Sequence, residues 1–167
     1  MEIKQRVREQ FGAAAEAYVR SRSHAFGHDL GQLVEWAAVQ PGEPALDVAT
    51  GGGHTGLALA RHGARVILLD LTTRMLQAAR RAAAERGVIP AGFLAADAEA
   101  LPLRDHCMSL VACRIAPHHF ADPAAFVREV ARVLEPGGRF LLIDSLSPAD
   151  HELDELVNEL EQRRDPS

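Results

Sequence analysis

Residues 46–56 read Leu46-Asp47-Val48-Ala49-Thr50-Gly51-Gly52-Gly53-His54-Thr55-Gly56, an apolar run that passes into clustered glycines and then into a helical pattern. Glycine tolerates left-handed backbone and leaves the main chain bare, so a ligand can come close to such a turn. The helix that follows presents unpaired N–H groups to an anionic group. Gly51, Gly53 and Gly56 satisfy G-x-G-x-x-G, a pattern that also fits any tight strand-to-helix turn. Asp47 stands inside the apolar run, where a carboxylate is costly unless it finds partners.

Working outward, similar short apolar runs fall at 45–49, 65–69, 92–96, 109–113 and 139–143, with helix-length amphipathic stretches near 54–62, 73–86 and 123–134. Buried strands alternating with helices predict βαβ units and a parallel sheet covered on both faces. Right-handed crossovers then leave a doubly wound α/β sheet. Ahead of it, Val7, Phe11, Ala14, Ala15 and Tyr18, then Leu30, Leu33, Val34 and Ala37, fall at helical spacing. Pro41-Gly42-Glu43-Pro44 punctuates the passage from helices to strands, and Glu135-Pro136-Gly137-Gly138 is expected to end a helix before the fifth strand starts. After Pro148, Leu153, Leu156, Val157 and Leu160 share one face of a last helix. The expected organisation is one domain: a helical segment at 1–40, a core at 41–147 and a C-terminal helix at 148–167.

The bulk properties narrow the partners. The chain has 167 residues, 47% hydrophobic and 25% charged, as in ordinary soluble globular proteins. Its net charge of −5 and pI near 5.9 argue against nucleic acid, whose phosphate backbone calls for a basic face. The cations are seventeen arginines and one lysine, Lys4. Two cysteines, Cys107 and Cys113, fit free thiols in a reducing cytoplasm better than a disulfide framework. Neither a signal peptide nor a membrane-spanning run is visible, and no metal-ligand spacing stands out.

In a doubly wound sheet the ligand lies at the carboxyl ends of the strands. The second strand ends at Asp70, 19 residues after Gly51, where a carboxylate can accept from both ribose hydroxyls of an adenosine. The bland alternative is a strand-end aspartate capping the helix that opens near Thr72 and Thr73. The third strand ends at Asp97, which could equally open a turn. A nicotinamide-dependent oxidoreductase would use the same glycines. Asp47 and the long helical segment before the first strand weigh against it.

Together these pieces resemble class I S-adenosylmethionine-dependent methyltransferases, and the ubiquinone/menaquinone-biosynthesis C-methyltransferase family within them. The matching pieces are the 47–53 loop, Asp70 with Met75, Asp97-Ala98-Glu99-Ala100-Leu101-Pro102, Arg114-Ile115-Ala116-Pro117-His118-His119-Phe120, and Val133-Leu134-Glu135-Pro136-Gly137-Gly138-Arg139. The resemblance implies a Rossmann-like fold with N-terminal helices and S-adenosylmethionine as cofactor. It implies that Asp47 belongs to the cofactor loop and that Thr50, Gly51 and Gly53 contact the methionine part. Asp70 would take the ribose, with Leu71 beside it and Met75 against the adenine. Asp97 and Ala98 would reach the adenine edge, and Arg114 would floor the pocket. The N-terminal helices, carrying Tyr18, His24 and His28, would fold over the cofactor as a lid. His54 after the glycines departs from the pattern without spoiling the loop.

The family usually adds two further strands after the fifth, the last antiparallel, so the expected sheet lacks them and its fifth strand is an open edge. A second copy of the chain is the expected cover. Methyl transfer is an in-line displacement that depends mainly on positioning, with a base needed only when the nucleophile must lose a proton. His118 and His119 are the candidates for that base; the bland reading has one packing and the other exposed. The expected function is methyl transfer to a small molecule, with a binding domain that does not turn over as the alternative.

Overall fold

The computed structural model describes residues 4–6, 27–145 and 159. Its elements are α1 (His28–Ala37), β1 (Pro44–Val48), α2 (His54–Arg61), β2 (Arg65–Asp70), α3 (Thr73–Glu85), β3 (Gly92–Ala95), β4 (Met108–Arg114), a 3₁₀ turn (Pro117–His119), α4 (Pro123–Val133) and β5 (Leu134–Ile143). The five strands form one sheet in the order β3-β2-β1-β4-β5, and every pairing is parallel. This is the doubly wound, Rossmann-like α/β fold that the alternation of runs predicts. The chain reverses direction across the sheet between β1 and β4, so the loops leaving those two strands diverge and open a crevice.

The pleat divides the core into two layers. Ala45, Val66, Leu68, Leu110 and Ala112 pack with Leu33 and Ala37 of α1, Leu57 and Leu59 of α2 and Ala79 and Ala82 of α3. Leu46, Val48, Leu69, Val111 and Cys113 face the other way, onto Phe126, Val130 and Val133 of α4. Alternate residues of a strand take opposite faces, so Asp47 is turned toward α2. Cys113 is fully buried and behaves as a small hydrophobe. Of the helical segment before the sheet, α1 is built into the core; Tyr18 and His24 lie outside the described residues, as does the helix expected at 148–167 apart from residue 159.

The local chemistry explains the element ends. Asp122 caps α4 by accepting from the Ala125 N–H at 2.9 Å, with Pro123 in the first turn, where its missing N–H costs nothing. The fifth strand starts earlier than the pattern suggested. Leu134 already pairs with Met108, and Arg139 next pairs with Leu110, so residues 135–138 bulge out within the strand. Pro136 cannot donate to the ladder, and Gly137 takes a φ of +83°, which together force the bulge. Arg139 then donates to Ala37 O at 3.0 Å and to both Glu43 oxygens at 2.7 and 2.8 Å, fastening β5 to the start of β1. Beyond β5 no further strand is present among the described residues.

Candidate functional site

Four loops at the carboxyl edge of the sheet enclose a cleft. It is lined by Ala49–Gly52 after β1, Leu71 and Thr72 after β2, residues 96–99 after β3, and Ile115, Ala116, His119 and Phe120 after β4. Ala49 and Ile115 are the first residues beyond β1 and β4, and both are left-handed, with φ of 53° and 52°. Such backbone is strained for a residue bearing a Cβ, above all for β-branched Ile115. Both sit at the switch point, where the chain must turn sharply away from the sheet. The Thr50 N–H donates to Leu69 O at 2.9 Å and the Ile115 N–H to Ile143 O at 2.7 Å, which holds the two turns open.

The three patterned glycines do different jobs. Gly51 lies on the cleft and donates its N–H to Asp70 Oδ2 at 2.9 Å. Gly53, at φ +84°, lies off the cleft; a Cβ there would meet Ala79 Cβ at 3.1 Å and Leu68 Cδ2 at 3.2 Å. On Gly56 a Cβ would fall 2.9 Å from Asp47 Oδ2 and 2.9 Å from Leu68 Cγ. Gly53 and Gly56 therefore let α2 settle against the sheet, while Gly51 offers bare backbone to a ligand.

Asp47 is a strut for this loop. It accepts from Thr50 Oγ1 at 2.5 Å and from the Gly56 N–H at 2.7 Å. Its full burial pushes its pKa up to about 7, against the opposing pull of those two donors. Asp70 accepts from the Gly51 and Thr72 N–H groups at 2.9 and 2.8 Å, so it ties the first two loops together at the end of β2. Burial raises its pKa as well, offset in part by the same amides. Each carboxylate oxygen keeps a further lone pair for a ligand. Leu69, Met75 and Ala98 are buried along the wall beside it, giving an apolar slot that ends in a carboxylate.

Arg114, at the end of β4, lies nearly buried on the cleft wall, and its Nε donates to Asp29 Oδ2 of α1 at 2.6 Å. That guanidinium holds the Asp29 carboxyl below the usual range. His54, at the start of α2, is buried on the cleft with its Nδ1 3.3 Å from Arg86. The two histidines after β4 separate: His119 lines the cleft, and His118 turns aside. His118 Nδ1 pairs with Asp144 Oδ1 at 2.8 Å, and its ring lies 3.9 Å from that of His119, tilted by 54°. Burial works against the Asp144 charge, but His118 and the Ser145 amide hold its carboxyl below the usual range.

Asp97 keeps its place on the rim after β3, and its Oδ1 accepts from the Glu99 N–H at 2.9 Å. Lys4 reaches it across the cleft, placing Nζ 2.6 Å from Asp97 Oδ2 and 2.6 Å from Glu99 Oε2. Thus Asp47, Thr50, Gly51, Asp70, Leu71, Met75, Asp97, Ala98, Arg114 and His119 converge on one cleft, while Gly53 and His118 stand behind it. Sequence reasoning misses Lys4, Asp29 and Asp144. Each acts through a contact far along the chain, and only the proximity of Glu99 to Asp97 left a sequence signal. No cluster that could hold a metal ion occurs among the described residues, nor any helix long and apolar enough to cross a membrane.

A family model described as a methyltransferase domain matches residues 46–142. The Bacillus subtilis protein named uncharacterized methyltransferase YcgJ is 42% identical over 157 residues, covering 94% of this chain and 62% of that protein. The ubiquinone/menaquinone biosynthesis C-methyltransferase UbiE of Acidiphilium cryptum is 36% identical over 149 residues, 86% of this chain and 60% of that protein. The crystal structure of YcgJ superposes with a TM-score of 0.75 over 83% of this chain and 59% of that one. The chain spans about three fifths of the length of these relatives.

Proposed function

The chain belongs to the methyltransferase-domain family, which carries S-adenosylmethionine as its cofactor, and on that premise we propose that its cleft directs the cofactor's methyl group to a small-molecule acceptor in the cytoplasm. The observation that carries the proposal is the buried Asp70 carboxylate, which bridges the glycine turn and the next loop at the head of an apolar slot. The cleft suits the cofactor in its chemistry. It offers a carboxylate acceptor for a ribose diol at Asp70, apolar walls for a purine at Leu71 and Met75, and bare backbone at Gly51 for the methionine end. When bound, S-adenosylmethionine supplies an electrophilic methyl carbon that needs no further activation.

The chain's own residues then bind, orient and shelter. Asp70 accepts from the ribose hydroxyls, with Leu71 and Met75 against the base and Asp97 and Ala98 at its edge. Thr50 and Gly51 hold the methionine end, on a loop braced by Asp47 and shaped by Gly53. Arg114, fixed by Asp29, forms the floor toward the acceptor. Holding acceptor and methyl in line and excluding water is the main contribution, worth several kcal/mol or more. Where the attacking atom carries a proton, His119 on the cleft wall takes it, and His118, anchored by Asp144, packs against its ring. A His118→Gln/His119→Gln double variant that keeps full turnover would remove that role. Free Cys107 and Cys113 accord with a reducing compartment.

The test is calorimetric titration with S-adenosylhomocysteine, with NAD in a parallel cell. Micromolar binding of the first and none of the second is the expected result. Binding of NAD alone would overturn the proposal, and binding of S-adenosylhomocysteine without transfer to any acceptor would reduce it to a binding domain.

A further inference from the structure

Most left-handed turns among the described residues are made by glycine, at Gly42, Gly51, Gly53, Gly63, Gly87 and Gly137. Ile115, at a φ of 52°, is the one β-branched residue among them with such backbone. Its main chain is pinned on both sides. Arg114 pairs with Ile143 in the β4–β5 ladder, and the Ile115 N–H donates to Ile143 O at 2.7 Å. Just beyond, the His119 N–H donates to Ala116 O at 2.9 Å and the Phe120 N–H to Pro117 O at 3.0 Å, closing the 3₁₀ turn. The Ile115 side chain is half-buried, yet it joins neither of the two core layers. It lines the cleft instead, with Ala116, His119 and Phe120.

We propose that Ile115 is a specificity-determining residue of the cleft, held in strained backbone so that its apolar side chain meets a neutral, apolar portion of the methyl acceptor. This rests on the reading of the cleft as a methyl-transfer site and adds the chemical class of its acceptor. A β-branched residue in left-handed backbone lowers stability, and glycine or asparagine at the same position would remove that cost. Strain of this kind persists only where the surrounding structure over-determines it, and it clusters at ligand sites. An isoleucine packed in the core would offset its own strain by burial. Ile115, outside both layers, completes its burial only with a ligand against it. Its branched Cβ restricts χ1, so the wall it makes is stiff.

The polar groups that flank this wall are paired within the protein. Arg114 Nε donates to Asp29 Oδ2 at 2.6 Å, and His118 Nδ1 pairs with Asp144 Oδ1 at 2.8 Å. Ile115, Ala116 and Phe120 give the wall an apolar surface with His119 set in it, and the Phe120 ring is itself fixed edge-on to Phe126 at 4.8 Å between centroids. A charged group placed against Ile115 and Phe120 would lose hydration with nothing in exchange, whereas a neutral ring or alkyl face gains by burial there.

The experiment uses the full chain as wild type, Ile115→Val, Ile115→Gly and Ile115→Asn. Calorimetry measures the affinity for S-adenosylhomocysteine and then, on the loaded protein, for 2-naphthol as a neutral apolar probe of the acceptor side. Thermal melting without ligand measures stability. Glycine and asparagine both accept left-handed backbone, so those two variants should melt within about 3 °C of wild type or above it. 2-Naphthol should bind them about tenfold or more weakly, and Ile115→Val, one methylene shorter, about threefold more weakly. The affinity for S-adenosylhomocysteine should be unchanged throughout. Equal 2-naphthol binding by wild type and Ile115→Gly overturns the proposal. So does a Tm lowered by about 10 °C or more in Ile115→Asn, the loss expected of a core isoleucine. Equal weakening of both ligands overturns it too, by setting Ile115 against the cofactor. A wild type that binds S-adenosylhomocysteine but not 2-naphthol overturns the acceptor class and leaves the cofactor reading intact. Failure of wild type to bind S-adenosylhomocysteine at all rejects the cofactor reading itself.

Discussion

At the scale of single residues, the two strand carboxylates do separable work. Under the proposed function Asp70 takes the ligand's ribose, and Asp70→Ala should then weaken S-adenosylhomocysteine binding by roughly 10- to 100-fold in calorimetry, since hydrogen bonds to a charged group are lost. Asp47 is buried and holds the loop, with a pKa pushed up to about 7 from an ordinary 3.8. The folded state therefore keeps a proton that the unfolded chain has released, and stability falls as pH rises from about 4 to about 7. Asp47→Asn keeps an acceptor oxygen but cannot ionise. The stability of wild type relative to this variant should decline across that window, by roughly 1–4 kcal/mol, in urea titrations at a series of pH values. A difference that stays flat with pH would mean that Asp47 ionises freely.

At the scale of elements, glycine is informative where the packing is close. Gly56→Ala would drive a Cβ to 2.9 Å from both Asp47 Oδ2 and Leu68 Cγ, so α2 must lift from β1 and β2. A loss of about 1–3 kcal/mol is expected in urea denaturation, together with weaker ligand binding, because the Thr50–Gly51 turn moves with the helix. Gly31, exposed in α1, has open space on the side where a Cβ would stand, with no atom within 4 Å. Gly31→Ala should accordingly stabilise by about 0.5–1 kcal/mol, since alanine suits a helix better. Both glycines look alike in sequence, and only the packing separates them. The strand and helix runs themselves were legible because buried parallel strands are continuously apolar and helices are amphipathic. The start of β5 was misplaced because Pro136-Gly137-Gly138 carries the same signal whether it precedes a strand or bulges within one.

At the scale of the whole molecule, the cleft exists only because the sheet order brings Gly51, Asp70, Asp97 and Arg114 to one edge. Ligand binding should therefore stabilise the entire fold. S-adenosylhomocysteine at 100 times its Kd is expected to add about 2.7 kcal/mol. That corresponds to a Tm rise of about 5–10 °C, with no shift from NAD at the same concentration, in a thermal-shift assay.

Hydrophobic periodicity, glycine spacing and strand-end acids by themselves determined the parallel α/β architecture and most of the carboxyl-edge residues. These follow from local rules: a period identifies an element, and a doubly wound sheet always gathers its ligand groups at the same edge. Tertiary structure alone decided that Gly53 and Gly56 serve packing, that His118 turns to Asp144 while His119 keeps the cleft, and that Asp29 and Lys4 reach Arg114 and Asp97. Those side-chain contacts join residues 26 to 93 positions apart, and pairing at such separations depends on how layers dock, which no local pattern encodes.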